Sequence, residues 1–160
     1  MEHFSLFKTF PNGGYVEIID GYSQKSDHDD LLAIALFFAQ QGKIVQITTS
    51  IYCDDPKYSQ VFGALIGTVY ERKCPDLIID GEFYEYESYV PPFKKGKISH
   101  MLSQGLKQSP RIIINNNGGA KDYFIQKFIR NRIYEENFVY NIVEVWVFEA
   151  GSVRILYKQQ

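Results

Sequence analysis

The chain has 160 residues, 45% hydrophobic and 16% aromatic, with 17 Lys/Arg against 19 Asp/Glu and a formal net charge of −2. That length and apolar share suit a single domain over residues 1–160 with a real core, the aromatic rings serving mainly as packing. They exclude a chain too polar to fold, a membrane-spanning stretch of roughly 18 consecutive apolar residues and, with only Cys53 and Cys74, a disulfide scaffold.

The opening MEHFSLFKTFPNGG has no charged n-region followed by a long apolar run, so no signal peptide is read. A chain that begins at its own methionine and keeps two unpaired-looking cysteines is expected to be freestanding and cytoplasmic. From Gly14 to Asp20 the alternation predicts a strand. Ser26 or Asp27 then caps a helix whose first turn is filled by acids, running Leu31 to Gln41 and ending at Gly42. Lys43 to Thr49 reads as a strand, and Asp55-Pro56 opens a helix expected to reach about Glu71. Leu77–Ile79 and Glu82–Glu87 flank Asp80-Gly81, a strong hairpin signal. Lys97 to Gln108 is helical, with Ile98, Met101, Leu102, Gly105 and Leu106 as its buried arc. Arg111 to Asn115 is an apolar strand, the asparagine–glycine run to Gly119 a loop, and Lys121 to Ile133 a helix with Phe124, Ile125, Phe128 and Ile129 on one face. Asn141–Phe148 and Ser152–Lys158 close the chain as a hairpin. The order βαβαββαβαββ predicts an α/β (α+β) fold, a mixed β-sheet flanked by helices.

Charge is segregated along the chain. Residues 1–90 hold 6 Lys/Arg against 14 Asp/Glu, a balance of −8, whereas residues 91–132 hold 9 against Asp122 alone, a balance of +8. A basic surface beside a carboxylate cluster suits an enzyme acting on phosphates, although ordinary solvated faces would give the same counts. The carboxylates in question are Asp76, Glu85 and Glu87. Residues 85 and 87 lie two apart in a strand and so share a face, and pairing about the turn would bring Asp76 opposite Glu85. Such a cluster invites a hard divalent ion such as Mg²⁺, or else it is an exposed acidic hairpin. Asp80 belongs to the turn and Glu82 to solvent. On the 97–108 helix, Lys97, Gln104 and Gln108 form an edge stripe with Lys107 nearby, which would meet phosphates or simply face water. His3, His28 and His100 have no placed partner, and no GxxxxGK[ST] or GxGxxG is present, so no nucleotide cofactor is indicated.

Cys74-Pro75-Asp76, the short hydrophobic run, Asp80-Gly81 and Tyr84-Glu85-Tyr86-Glu87 together resemble the core motif of PD-(D/E)XK nucleases. The segment from Lys97 to Ser109, the strand Arg111–Ile114 and the closing Glu144–Val147, Gly151, Val153-Arg154 and Tyr157-Lys158 resemble the C-terminal tRNase domain of contact-dependent growth inhibition toxins. The likeness spans about residues 14–158 and is strongest from 73 onward.

This resemblance implies a restriction-endonuclease-like core and a metal-dependent nuclease acting on RNA, tRNA in particular. Asp76 and Glu85 would be metal ligands for Mg²⁺ or another divalent cation, and an immunity-type protein partner would accompany a toxin of this kind. The family's E-x-K lysine falls at Glu87, an acid. Either Glu87 adds a ligand while Lys97, or failing that Lys95, supplies the amine, or the chain is a catalytically inactive relative that binds nucleic acid or a protein partner. Lys95, Lys107 and Gln108 are the expected substrate-binding residues. Asp29 or Asp30 could match an acid on the family's first helix, with helix capping the equal alternative. An interaction protein, such as a mobile-element accessory factor, is the third function class left open.

Overall fold

The computed structural model describes residues 2–135 and 139–160. The fold is a mixed α+β one, and among the described residues it has eight strands and four α-helices. The chain divides into two compact units, the first ending at Phe83 and the second beginning at Tyr84.

In the first unit the strands are β1 (Phe4–Thr9), β2 (Tyr15–Ile19), β3 (Ile44–Ile47) and β4 (Leu77–Ile79), side by side in chain order. β1 and β2 pair antiparallel, β2 and β3 parallel through the crossover helix α1 (His28–Gln40), and β3 and β4 antiparallel. A parallel neighbour needs such a crossover, because a tight turn can only reverse the chain. Helix α1 buries Leu31, Ile34, Ala35, Phe38 and Ala39. β1 is absent from the order expected from sequence, which therefore gains a strand at its start. Only Phe4 of β1 is buried, so its side chains carry no two-residue burial rhythm to read. What makes it a strand is its backbone ladder to β2, with a register shift between Leu6 and Lys8.

Helix α2 (Pro56–Phe62) starts as its sequence predicts, with the Asp55 side chain accepting from the Lys57 N–H at 2.9 Å and proline in the first turn. It stops nine residues short of Glu71. A 3-10 turn follows over Gly63–Leu65, Ile66 is extended, and Gly67 takes φ +85°, a left-handed conformation that ends any helix here. Asp80 and Gly81 follow β4 with φ +49° and +83°, the pair of positive values that a type I′ turn requires. The Asp80 carboxylate accepts from the Ile44 N–H at 2.8 Å, which fixes its structural role.

In the second unit β5 (Glu82–Glu87, whose first two residues fall before the division), β6 (Arg111–Asn115) and β7 (Glu144–Glu149) are parallel. The crossovers are α3 (Gly96–Leu106) and α4 (Asp122–Ile133), and β8 (Ser152–Lys158) returns antiparallel to β7. The core joins Ile98, Met101 and Leu102 of α3, Ile112 and Ile114 of β6 and Ile125 and Ile129 of α4. The α3 residues buried are those of the sequence arc, Ile98, Met101, Leu102, Gly105 and Leu106. Arg132 of α4 ties the two helices, donating to the Ser99 hydroxyl at 3.0 Å and to the Ser103 hydroxyl while it pairs with Glu135. The loop after β6 is held by its own side chains. Buried Asn116 donates to the Ala120 backbone carbonyl at 3.0 Å and to Glu149 at 2.6 Å, and the Asn115 and Asn117 side-chain Oδ1 atoms accept from the Asn117 and Ala150 backbone N–H groups.

Candidate functional site

Asp76 enters just before β4 and is 7% exposed. Its backbone carbonyl accepts from the Thr48 N–H at 3.0 Å, beyond the end of β3, so its side chain stands at the carboxyl ends of the parallel strands β2 and β3. In sheets of this kind that edge is where reactive groups gather. The carboxylate does not stand alone there. Lys25 Nζ donates to Asp76 Oδ1 at 2.9 Å, with the lysine side chain 29% exposed and the aspartate side chain 10%. Lys25 comes from the β2–α1 loop, 51 residues away in sequence. Two further groups of that loop region lie close by. The Tyr22 hydroxyl is 3.0 Å from His28 Nδ1. Burial lifts the Tyr22 hydroxyl above its ordinary range, against the pull of Lys25 and with the push of Asp76 and Asp27, so at neutral pH it is a neutral donor.

Buried polar groups continue across the sheet. Glu17 and Gln46 are register partners on β2 and β3, and Gln46 Nε2 donates to Glu17 Oε1 at 3.0 Å. Asp29 and Asp30 occupy the first turn of α1, where they complement the helix dipole.

Glu85 and Glu87 project from one face of β5, because they are register partners of Ile112 and Ile114 on β6. That is the face covered by the helices of the second unit, and both residues are half-buried. Gly105 of α3 makes room there, since a β-carbon on it would come within 3.1 Å of Glu87 Cγ. The alternate residues Tyr84 and Tyr86 take the opposite face. Tyr84 donates to Glu144 at 2.9 Å, and Glu144 also accepts from Arg111 Nε at 2.9 Å and Trp146 Nε1 at 3.1 Å.

The basic stretch is put to mixed use. Arg111 and Arg132 are engaged by Glu144 and by the α3 serines. Lys95 lies with Nζ 5.2 Å from the centre of the Phe124 ring. Lys97 sits in the first turn of α3 and Lys107 at its C-cap, about 15 Å apart at 1.5 Å per residue, with half-buried Gln108 just beyond. Lys97 and Lys107 therefore mark opposite ends of one helix.

As a metal centre, the arrangement offers Asp76 with one oxygen already on an ammonium group. Among the described residues no group of three or more His, Cys, Asp or Glu side chains is placed to hold a metal ion. A closed protein cage is thus not the fit. A hard ion that keeps its waters and takes one or two carboxylates plus substrate oxygens is compatible with Asp76. Among the described residues no helix is long and apolar enough to cross a membrane. No known protein family, curated protein or solved structure matches the chain.

Proposed function

We propose that the chain is a divalent-metal-dependent phosphodiesterase acting on RNA, with Asp76 as a metal ligand and Lys25 as the lysine that position 87 lacks. The observation that carries this reading is the 2.9 Å couple between a buried carboxylate and a partly exposed ammonium at the carboxyl ends of β2 and β3. The Lys25 side chain is 29% exposed, so its positive charge reaches the edge of the sheet, where it favours an approaching phosphate. Neutral Tyr22 adds a hydroxyl donor in the same loop region. A bound Mg²⁺ would supply Lewis acidity toward the phosphate and a water of lowered pKa. The choice of RNA, and of tRNA as its class, follows the resemblance of Lys97–Ser109, Arg111–Ile114 and the closing Glu144–Lys158 segment to toxin tRNase domains. So do the cytoplasmic setting and an immunity-type protein partner.

The test is cleavage of transfer RNA and of unstructured RNA with Mg²⁺ or Mn²⁺. Asp76→Asn should abolish it, and Lys25→Met should lower it by about a hundredfold or more, the usual scale for a positioned proton-transfer or charge-stabilising group. A wild-type chain that cleaves no RNA with either ion, or a Lys25→Met variant of full activity, would sink this reading.

One observation favours a second reading, a catalytically silent relative that binds nucleic acid or a protein. The ion pair with Lys25 already neutralises Asp76 without a metal. Salt-sensitive RNA binding without any cleavage would identify that case.

A further inference from the structure

The second unit contains a cleft of about 270 Å³ that the hydrolytic reading does not use, lined by Phe93, Lys95, Gly118, Lys121, Tyr123 and Phe124. We propose that it binds one unstacked nucleotide of a single-stranded nucleic acid, the base on the aromatic wall and the adjoining phosphates on Lys95 and Lys121. The volume falls just below the range of roughly 300–1,000 Å³ typical of drug-sized ligands, which suits a single base rather than a folded segment. Tyr123, 72% exposed, stands at the rim of the cleft, where its ring can receive a base. Phe93 forms a fixed back wall. Its ring lies where a β-carbon on Gly118 would come within 2.2 Å, and Tyr89 meets it edge-on at 5.2 Å between ring centres. Phe124 is braced in the same way by Phe128 at 4.9 Å.

Asp122, the one acid between residues 91 and 132, is held by Arg154 at 2.6 Å, and Glu149, bonded to Asn116 of the neighbouring loop, lies 3.6 Å from the same guanidinium. Lys95 and Lys121 have no carboxylate partner among the described residues, and α4 carries exposed Lys127 and Arg130 onward from the same end. Rigid rings with cations between them are the means by which proteins hold single strands, since every base has a face to stack and every linkage a phosphate. A duplex would keep its bases stacked and leave the wall unused. The proposal does not require that Asp76 and Lys25 act in hydrolysis.

The experiment is fluorescence anisotropy in EDTA, where cleavage does not enter. Its probes are a labelled six-nucleotide single-stranded RNA, the same sequence as DNA, and an RNA duplex. Either single strand should bind at least about tenfold tighter than the duplex, and the preference between RNA and DNA names which strand is taken. Tyr123→Ala should weaken single-strand binding by about tenfold, within the range of stacking on one ring. The Lys95→Gln/Lys121→Gln double variant should lower the log–log salt slope by about 1.4, two contacts at roughly 0.7 each on a single strand. Backbone amide signals of Gly118 and Gly119 should shift on adding uridine monophosphate. Duplex binding as tight as single-strand binding would overturn the proposal, as would glycine signals that stay still while the strand saturates the protein.

Discussion

Replacing Lys25 by Met tests the pair on which the proposed centre depends. The substitution keeps a chain of similar length but removes the ammonium 2.9 Å from Asp76 Oδ1. Breaking a fully buried ion pair from one side costs about 3–5 kcal/mol, because the remaining charge is stranded away from water. Here the lysine side chain is 29% exposed, so water reaches the pair and the loss should come to about 2 kcal/mol. Asp76→Asn should cost less, about 1 kcal/mol, since a partly exposed ammonium can turn toward solvent. In the double variant neither charge is stranded, so the two losses should fall short of adding by about 1–2 kcal/mol. The assay is urea unfolding followed by circular dichroism for the four members of the cycle, with Trp146 fluorescence reporting the second unit separately. Losses that add to within 0.5 kcal/mol would mean that the two groups do not interact, and the reasoning would fail with them.

Arg132→Met should destabilise the second unit by about 2 kcal/mol in urea, because it leaves the Ser99 and Ser103 contacts between α3 and α4 without their donor. RNA affinity should stay unchanged, in contrast with Lys127→Gln. Lys97→Met should leave metal-dependent cleavage intact if Lys25 is the working amine. Burial holds the Cys74 thiol above its ordinary pKa, so exposed Cys53 should be alkylated first at pH 8 in a mass-spectrometric time course. The same shift favours the protonated form in the folded state. Its contribution to stability is therefore complete below the unfolded pKa near ~8.5 and lost as pH rises through the higher folded value. Unfolding midpoints of the Cys74→Ala variant should consequently fall less steeply than wild type on the alkaline side.

Much of the fold was legible because its signals are local. β4, β5, β6 and β8 have the bounds read from sequence, each set off by a positive-φ turn or an adjoining loop. The buried arc of α3 follows from spacing alone. β1 was not legible, since a strand defined by its neighbour's backbone need not write burial into its side chains. The overlong α2 came from weighing its start signal above Gly67. For the candidate site the split is sharper. Asp76 was found through its motif, whereas Lys25 was missed because nothing within 50 residues announces its partner. The one available hint was a lone cation in the run Asp20 to Asp30, otherwise rich in aspartate. Lys95 was singled out as a substitute amine, and its Phe124 contact is a tertiary fact that no spacing supplies.

The asparagine-tied loop after β6 bears on how fast anything could enter or leave the cleft beside it. With Asn116 bonded to Ala120 and Glu149, and Asn117 to Ala150, residues 116–120 already have their final shape before a ligand arrives. No ordering step then precedes docking, and little chain entropy is spent at that moment. Encounter should be governed by diffusion and by the lysine field. Differences among ligands would accordingly be written in residence time, with arrival rates nearly alike.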